Sequence, residues 1–100
     1  MIVLRFKVQC QPDKVATIAD AMNDVVMASR SLPGVVHFDV GRDLTDDNVL
    51  VATEVFEDPG ARERQEALPE VAKVMSLLQT ALLTPPEATL FRVSAAEPAM

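Results

Sequence analysis

The first ten residues alternate between apolar and polar side chains, which is the period-2 pattern of a strand with one buried face. The apolar side chains of this pattern are Ile2, Leu4, Phe6, Val8 and Cys10. Gln11-Pro12-Asp13 then interrupts the alternation. We expect Pro12 in the first turn of a helix and Asp13 near the positive end of that helix, where a carboxylate is stabilised.

The next segment has a helical period, with side chains of one face recurring every three or four positions. This face consists of Val15, Ile18, Met22, Val25, Val26 and Ser29. The pattern predicts an amphipathic helix of about 18 residues. Leu32-Pro33-Gly34 ends it, because proline cannot continue the hydrogen-bond ladder and glycine tolerates the turn that follows.

Two strands follow, joined by a polar turn over Asp43–Asn48 that predicts a hairpin. The first strand, Val35–Gly41, has Val36, Phe38 and Val40 on one face. The second strand, Val49–Glu57, is apolar on both faces, with Leu50, Ala52 and Phe56 on one side and Val49, Val51 and Val55 on the other. A strand that is apolar on both faces belongs in the middle of a sheet.

The last third of the chain predicts a second helical segment and a final strand. Residues 59–70 are helical in pattern but divided at Pro69, and the apolar face continues through Val71, Val74, Met75, Leu78 and Leu82. Pro85-Pro86 ends the helix, and Ala88–Val93 reads as the fourth strand. Residues 94–100 are predicted to be a frayed tail or an arm that reaches a neighbouring chain.

The predicted order of elements is βαββαβ, which places the protein in the α+β class. The natural arrangement is a ferredoxin-like fold, an antiparallel four-stranded sheet of order 4-1-3-2 with both helices on one face. We expect one domain over residues 1–100, with its core in residues 2–93. The uncovered sheet face would expose apolar residues, so we expect a homodimer that packs sheet against sheet.

Composition narrows the classes of partner and the cellular location. The formal net charge is −6 and the isoelectric point is about 4.6, which disfavours nucleic acids and anionic membranes. The apolar runs are too short to span a membrane. Cys10 is the only cysteine and the N-terminus lacks the pattern of a secretory signal, so we expect a cytoplasmic protein.

Four polar side chains are candidates for catalysis: Glu54, Arg92, His37 and Arg5. His37 is the only side chain whose ordinary pKa lies near neutrality, but it points away from Val36 and Phe38 and also fits a structural or solvent-facing role. Glu54 lies in the most apolar strand and therefore needs a cation, a donor or a proton. It fits either a structural ion pair with a strand cation or a carboxylate that orients a substrate hydroxyl.

A substrate pocket is predicted between helices and sheet, because each strand carries one phenylalanine and the helices supply methionines. The candidate lining residues are Phe6, Met22, Phe38, Phe56, Met75 and Phe91. The same residues also fit an ordinary core. Cys10 reads as a buried inert thiol and the aspartates of the hairpin as a solvated turn, and no spacing typical of a metal site occurs.

Three short motifs resemble the antibiotic biosynthesis monooxygenase family. Ala28-Ser29-Arg30, followed by Leu32-Pro33-Gly34 and Phe38, is similar to its helix-to-strand passage. The residues from Asp43 to Asn48 resemble its hairpin, and Glu54-Val55-Phe56-Glu57-Asp58 resembles its Glu-x-aromatic-x-Asp signature. The likeness extends over residues 2–93, and its weight comes from the order of the motifs.

The resemblance implies a dimeric α+β barrel and, for some members, oxidation of polyketide quinol precursors without metal or flavin. No metal or organic cofactor is then implied. The family often carries histidines where this chain has Gln65 and Pro69-Glu70, and the chain has no Trp or Tyr, which disfavours haem degradation. The leading hypothesis is a cofactor-independent monooxygenase-like enzyme for a small hydrophobic quinol- or polyketide-like compound. The alternative is a non-catalytic dimeric small-molecule binding or stress-response module of the same fold.

Overall fold

Four strands and three helices make up the computed structural model, which describes residues 1–100. The strands are β1 (Ile2–Gln9), β2 (Val35–Asp43), β3 (Asp46–Phe56) and β4 (Glu87–Arg92); the helices are α1 (Val15–Arg30), α2 (Pro59–Glu66) and α3 (Pro69–Ala81). The sheet is antiparallel throughout and has the order β2-β3-β1-β4. The predicted ferredoxin-like arrangement is confirmed, with β3 in the interior of the sheet.

The core lies between the sheet and the helices, and α1 buries the face that its sequence period predicts. The helix is 16 residues long and begins at Val15, so Pro12 and Asp13 precede it rather than forming its first turn. The reason is a turn closed by Gln11, whose carbonyl oxygen accepts hydrogen bonds from the amides of Lys14 and Val15. The predicted start of this helix was therefore three residues too early.

A β-bulge near the start of β2 changes which of its residues face the core. The pairing with β3 shifts between Val35 and His37, so one extra residue is accommodated there. Val35 consequently packs against the core and Val36 is exposed, whereas Phe38 and Val40 point inward as predicted. The assignment of Val36 to the same face as Phe38 and Val40 was wrong, because the bulge interrupts the strict alternation of side chains along the strand.

The hairpin between β2 and β3 is tighter than the polar turn predicted from the sequence. The carboxylate of Asp43 accepts hydrogen bonds from the backbone N–H and the hydroxyl of Thr45, at 2.8 and 2.7 Å. This local closure leaves only Leu44 and Thr45 outside the ladder, and Asp43 pairs directly with Asp46. Both strands therefore extend into residues that the sequence pattern assigned to the turn.

The second crossover consists of two helices, divided at Pro69 as the sequence pattern predicts. Asp58 caps α2 by accepting a hydrogen bond from the amide of Ala61 at 2.8 Å, and Pro59 occupies the first turn. Gly34 adopts a φ of +84° beside this helix start, and its carbonyl oxygen accepts a hydrogen bond from the amide of Glu57. The Leu32-Pro33-Gly34 motif and the motif from Glu54 to Asp58, which lie far apart in the sequence, thus meet at the start of α2.

The sheet face opposite the helices carries no covering element of this chain. The strand register places His37, Val55, Val3 and Phe91 side by side across it. Phe91 is 48% exposed, and Val3 and Val55 are half-buried. We call these four residues the open-face row.

No helix combines the length and apolar composition needed to cross a lipid bilayer. Residues 94–100 form neither helix nor strand.

Candidate functional site

An apolar cavity of about 430 Å³ lies between the sheet and the helices. Eleven of the 15 residues that line it are hydrophobic. Its floor is built by neighbouring strands, because the register aligns Phe38, Glu54 and Leu4 in one row and Ala52 with Phe6 in the next. The volume falls within the range of ordinary small-molecule sites. Its polar residues are Glu54, Arg62, Gln65 and Glu66.

Glu54 is the acidic residue of the cavity floor and is only 7% exposed. Its even position in β3 places it on the helix side of the sheet, between Phe38 and Leu4 of the adjacent strands. Burial, reinforced by the negative charge of Glu66 and opposed by the positive charge of Arg62, raises the pKa of Glu54 to about 7. A carboxyl group with such a pKa can accept and return a proton near neutral pH.

Arg62 and Glu66 form the charged rim of the cavity. Arg62 Nε donates a hydrogen bond to Glu66 Oε1 at 2.6 Å, one turn further along α2. The aliphatic part of Arg62 contributes to the wall, and about a third of its side chain (36%) is exposed. Its two Nη groups make no hydrogen bond within the chain. The cation that compensates Glu54 therefore comes from a helix rather than from a neighbouring strand.

Gln65 closes the inner wall of the cavity and is almost fully buried. Its Nε2 donates a hydrogen bond to the hydroxyl oxygen of Ser29 on α1, which is fully buried, at 3.1 Å. This contact satisfies two buried polar groups and ties α2 to α1. Gln65 cannot titrate, so proton transfer in this cavity would depend on the carboxyl groups.

The structure does not bring the four predicted catalytic residues together. Arg92 lies at the end of β4 and lines an adjacent hollow of about 300 Å³, which shares Arg62 and Glu66 with the cavity. His37 and Arg5 lie on the opposite face of the sheet, since their register partners are Val55 and Thr53. Neither of these two side chains lines the cavity that contains Glu54.

Four of the six predicted pocket residues line the cavity, namely Phe6, Met22, Phe38 and Met75. Phe56 is fully buried in the core and does not reach the cavity. Phe91 pairs with Val3 and belongs to the open-face row, so its inclusion in the pocket was wrong. Alternation along β4 puts Leu90, not Phe91, on the helix side.

The sequence analysis did not identify Arg62 as the cation that lowers the pKa of Glu54. It favoured cations on the strands instead. A signal was present, because the capping residue Asp58 marks the start of a helix that must return over the sheet. The spacing of Arg62 and Glu66 is also that of an ion pair on one helix face.

No three side chains of the His, Cys, Asp or Glu type lie close enough together to hold a metal ion. Burial raises the pKa of the Cys10 thiol.

The sequence matches the profile of the antibiotic biosynthesis monooxygenase family over residues 1–76, which include β1 to β3, α2 and the cavity residue Glu54. The chain belongs to the antibiotic biosynthesis monooxygenase family. Membership supports a monooxygenase-like role for the protein. Among curated proteins, none matches the sequence significantly.

Several solved structures have the same fold, and some of them are described as antibiotic biosynthesis monooxygenases. A proposed antibiotic biosynthesis monooxygenase from Deinococcus radiodurans superimposes with a TM-score of 0.88 at 21% identity, covering 100% of this chain and 99% of its own. A protein similarly described from Nitrosomonas europaea gives 0.87 at 15% identity, covering 95% and 100%. A Pseudomonas aeruginosa protein gives 0.83 at 17% identity, covering 94% of each chain. At these identities the likeness establishes the fold alone.

Proposed function

We propose that the protein is a cofactor-independent monooxygenase that oxidises small hydrophobic phenols of the quinol or polyketide type. The observation that carries this proposal is Glu54, a carboxyl group with a pKa of about 7 in the floor of an otherwise apolar cavity. An apolar wall favours a neutral, flat ligand, and a carboxylate beside it can remove one proton once the ligand is bound.

The chemistry balances with molecular oxygen as the oxidant. Ionised Glu54 takes the O–H proton of the phenol, and the electron pair stays on the substrate as an oxyanion conjugated with the ring. A ring carbon then forms a bond to O₂, and the terminal peroxide oxygen takes the proton back from Glu54. The C–H proton and the hydroxyl from the broken O–O bond leave as water. One phenol and one O₂ become one quinone and one water.

The protein's own contribution is to orient and dehydrate the substrate. Exclusion of water strengthens the interaction between Glu54 and the phenolic hydroxyl, since both groups lie in a medium of low polarity. Of the residues predicted for catalysis, Glu54 is the one that lines the cavity, and Arg92 stands beside its charged rim. We assign no catalytic step to His37 or Arg5, because they lie on the other face of the sheet.

Replacing Glu54 by Gln tests this proposal. We expect kcat/KM to fall roughly 10²- to 10⁴-fold, the usual contribution of a positioned base. The measurement is oxygen uptake and quinone formation with 1,8-dihydroxyanthrone, whose enol form carries a phenolic hydroxyl para to the ring carbon that is oxidised. In the unmodified protein kcat/KM should rise with pH through a pKa of about 7, because the ionised form of Glu54 is the active one.

Glu57→Gln is the matched control, because it makes the same chemical change at an exposed position three residues away. Its rate and pH profile should equal those of the unmodified protein. Isotopically labelled O₂ should place one labelled atom in each quinone. Unchanged oxygen uptake in Glu54→Gln, relative to Glu57→Gln, would remove Glu54 from the mechanism.

A binding module without catalysis is the second candidate function. The observation that favours it is Gln65, which cannot titrate and whose amide group is held by Ser29. Such a module would bind 1,8-dihydroxyanthrone in the cavity and raise neither oxygen uptake nor quinone formation above the rate of the protein-free reaction. The same oxygen-electrode measurement therefore separates the two candidates.

We also propose that two copies associate through the open-face row to form a homodimer. The row is apolar in three of its four positions, and Phe91 within it is 48% exposed in the single chain. A cytoplasmic location stays a prediction that rests on the sequence.

A further inference from the structure

We propose that Arg62 binds the substrate oxyanion that forms when a phenol gives its proton to Glu54, and that Glu66 holds Arg62 in position for this task. The inference rests on the proposed function, since it names the group that stabilises the charged form of the same substrate. It assigns to α2 a catalytic residue and a positioning residue.

Charge balance requires a cation near the substrate oxygen. When the phenol loses its O–H proton to Glu54, the carboxyl group becomes neutral and one negative charge moves to the substrate oxygen. Glu54, Arg62 and Glu66 are the only ionisable side chains that line the cavity. Arg62 is therefore the only cation of the lining, and an oxyanion in a medium of low polarity needs such a partner.

Arg62 has hydrogen-bond donors that no other residue of the chain engages. A guanidinium group has five N–H donors in a planar fork, and only Nε is engaged, by Glu66 Oε1 at 2.6 Å. Both Nη groups remain available, and the side chain lines the cavity. The bond to Glu66 fixes the plane of the fork at its Nε end, so Glu66 restricts the rotation of the guanidinium without occupying its outer donors.

The charges of α2 also act on Glu54 itself. Glu66 raises and Arg62 lowers the pKa of Glu54, so both side chains already act on the proton that Glu54 holds. Apart from Glu54 itself, every charged residue that lines the cavity belongs to α2. Transfer of the substrate proton to Glu54 then moves the negative charge from Glu54 to the substrate oxygen, inside the cavity that Arg62 also lines.

The experiment compares two probes in the full-length protein. The first is 4-nitro-1-naphthol, a two-ring phenol whose ionised form absorbs at a longer wavelength than its neutral form. The second is 1-nitronaphthalene, which lacks the hydroxyl group. Binding of each is measured by absorbance or fluorescence titration across the pH range in which the naphthol ionises, for the unmodified protein, Arg62→Met, Arg62→Lys and the control Lys73→Met.

We expect Arg62→Met to weaken binding of the ionised naphthol by roughly 10- to 100-fold, the loss typical of charge-assisted hydrogen bonds. Binding of 1-nitronaphthalene should be unchanged, because methionine keeps the apolar stem that forms the wall. Arg62→Lys should recover part of the loss, since it restores the charge but not the fork. Lys73→Met removes one positive charge from an exposed site on α3 and should have no effect.

Glu66→Gln tests the positioning role through a pH profile. It removes a charge that raises the pKa of Glu54, so the rise of kcat/KM for 1,8-dihydroxyanthrone should move to lower pH, and ionised naphthol should bind more weakly than in the control. The naphthol titration separates positioning from charge, because loss of the negative charge of Glu66 alone would strengthen the binding of an anion.

The outcomes separate the two proposals. Ionised naphthol that binds Arg62→Met as tightly as the unmodified protein would overturn the role of Arg62, even if Glu54→Gln abolishes oxygen uptake. Failure of the unmodified protein to prefer the ionised naphthol would overturn it as well. Arg62-dependent binding of the ionised naphthol without oxygen uptake would support the anion site and reject only the proposed oxidation.

Discussion

At the scale of the residue, Glu54 is the side chain whose chemistry differs most from its behaviour in water. An acid placed among Phe38, Leu4 and the rest of the cavity floor loses the solvent that stabilises its charge. Its only compensating cation, Arg62, is shared with Glu66. The site therefore keeps Glu54 partly protonated near neutral pH, which suits a group that must accept a proton and later return it.

The raised pKa of Glu54 predicts a pH dependence of stability. The folded state holds the proton up to about pH 7, whereas in the unfolded chain the group ionises near its ordinary value of 4.5. The stabilisation is thus complete below about pH 4.5 and is lost as pH rises through 7, by roughly 3 kcal/mol in total. Urea unfolding of Glu54→Gln should lack this decline.

The control for that measurement is again Glu57→Gln, which should follow the unmodified protein at each pH. The comparison isolates Glu54 from the other groups that titrate in the same range, because those groups are common to both variants. A decline of equal size in Glu54→Gln and Glu57→Gln would contradict the assignment of the raised pKa to Glu54.

At the scale of the element, the start of α2 is where local turns and tertiary packing depend on each other. Asp58 caps the helix, and Arg64 reaches back from it to donate a hydrogen bond to the carbonyl oxygen of Pro33 at 3.3 Å. Gly34 packs so closely on this turn that a Cβ atom there would lie 2.6 Å from the Cβ of Ala61. The position of α2, and with it the position of Arg62, depends on this contact.

Gly34→Ala should therefore destabilise the protein strongly. The left-handed conformation of Gly34 costs an alanine about 1–2 kcal/mol, and overpacking against Ala61 adds about 1–3 kcal/mol. Gly41→Ala is the matched control, because a Cβ atom at Gly41 meets nothing within 4 Å and its φ is not positive. Thermal or urea unfolding of both variants provides the measurement. Equal stability of the two would show that the helix start tolerates displacement.

At the scale of the whole molecule, the sheet is asymmetric, because a single chain covers only one of its two faces. The helices cover one face, while the open-face row leaves Val3, Val55 and Phe91 without partners from the same chain. Domains of this size bury a limited fraction of their surface, so covering this face with a second copy would add a substantial hydrophobic contribution.

The proposed homodimer predicts that Val55→Lys yields monomers. A charge in the middle of the open-face row would have to be buried without a partner, which costs several kcal/mol and should raise the dissociation constant of the dimer by at least about 100-fold. Sedimentation at micromolar concentration provides the measurement. Leu44→Lys is the control, because Leu44 is fully exposed at the tip of the hairpin and should leave the dimer intact. An unmodified protein that sediments as a monomer would refute the proposal.

The sequence alone determined the order of the elements, the inner faces of β1 and α1, and the interior position of β3. These features follow from periods of 2 and 3.6 residues, which are local properties of the chain. The division of the second crossover at Pro69 was equally local, because proline lacks the amide proton that continues a helix. The exposed position of Val36 could not be predicted, because the bulge depends on the pairing of β2 with β3 and not on the residues of β2 alone.

Only the tertiary structure decided which polar groups share the cavity. The sequence identified Glu54 as a carboxylate in need of a partner and favoured the strand cations Arg5, Lys7 and Arg92 over the helix residue Arg62. The register of the strands put Arg5 on the other face, and the path of α2 over the sheet brought Arg62 to the cavity. Charges interact through space over a few ångströms, and those separations are fixed by packing between elements that lie far apart in sequence.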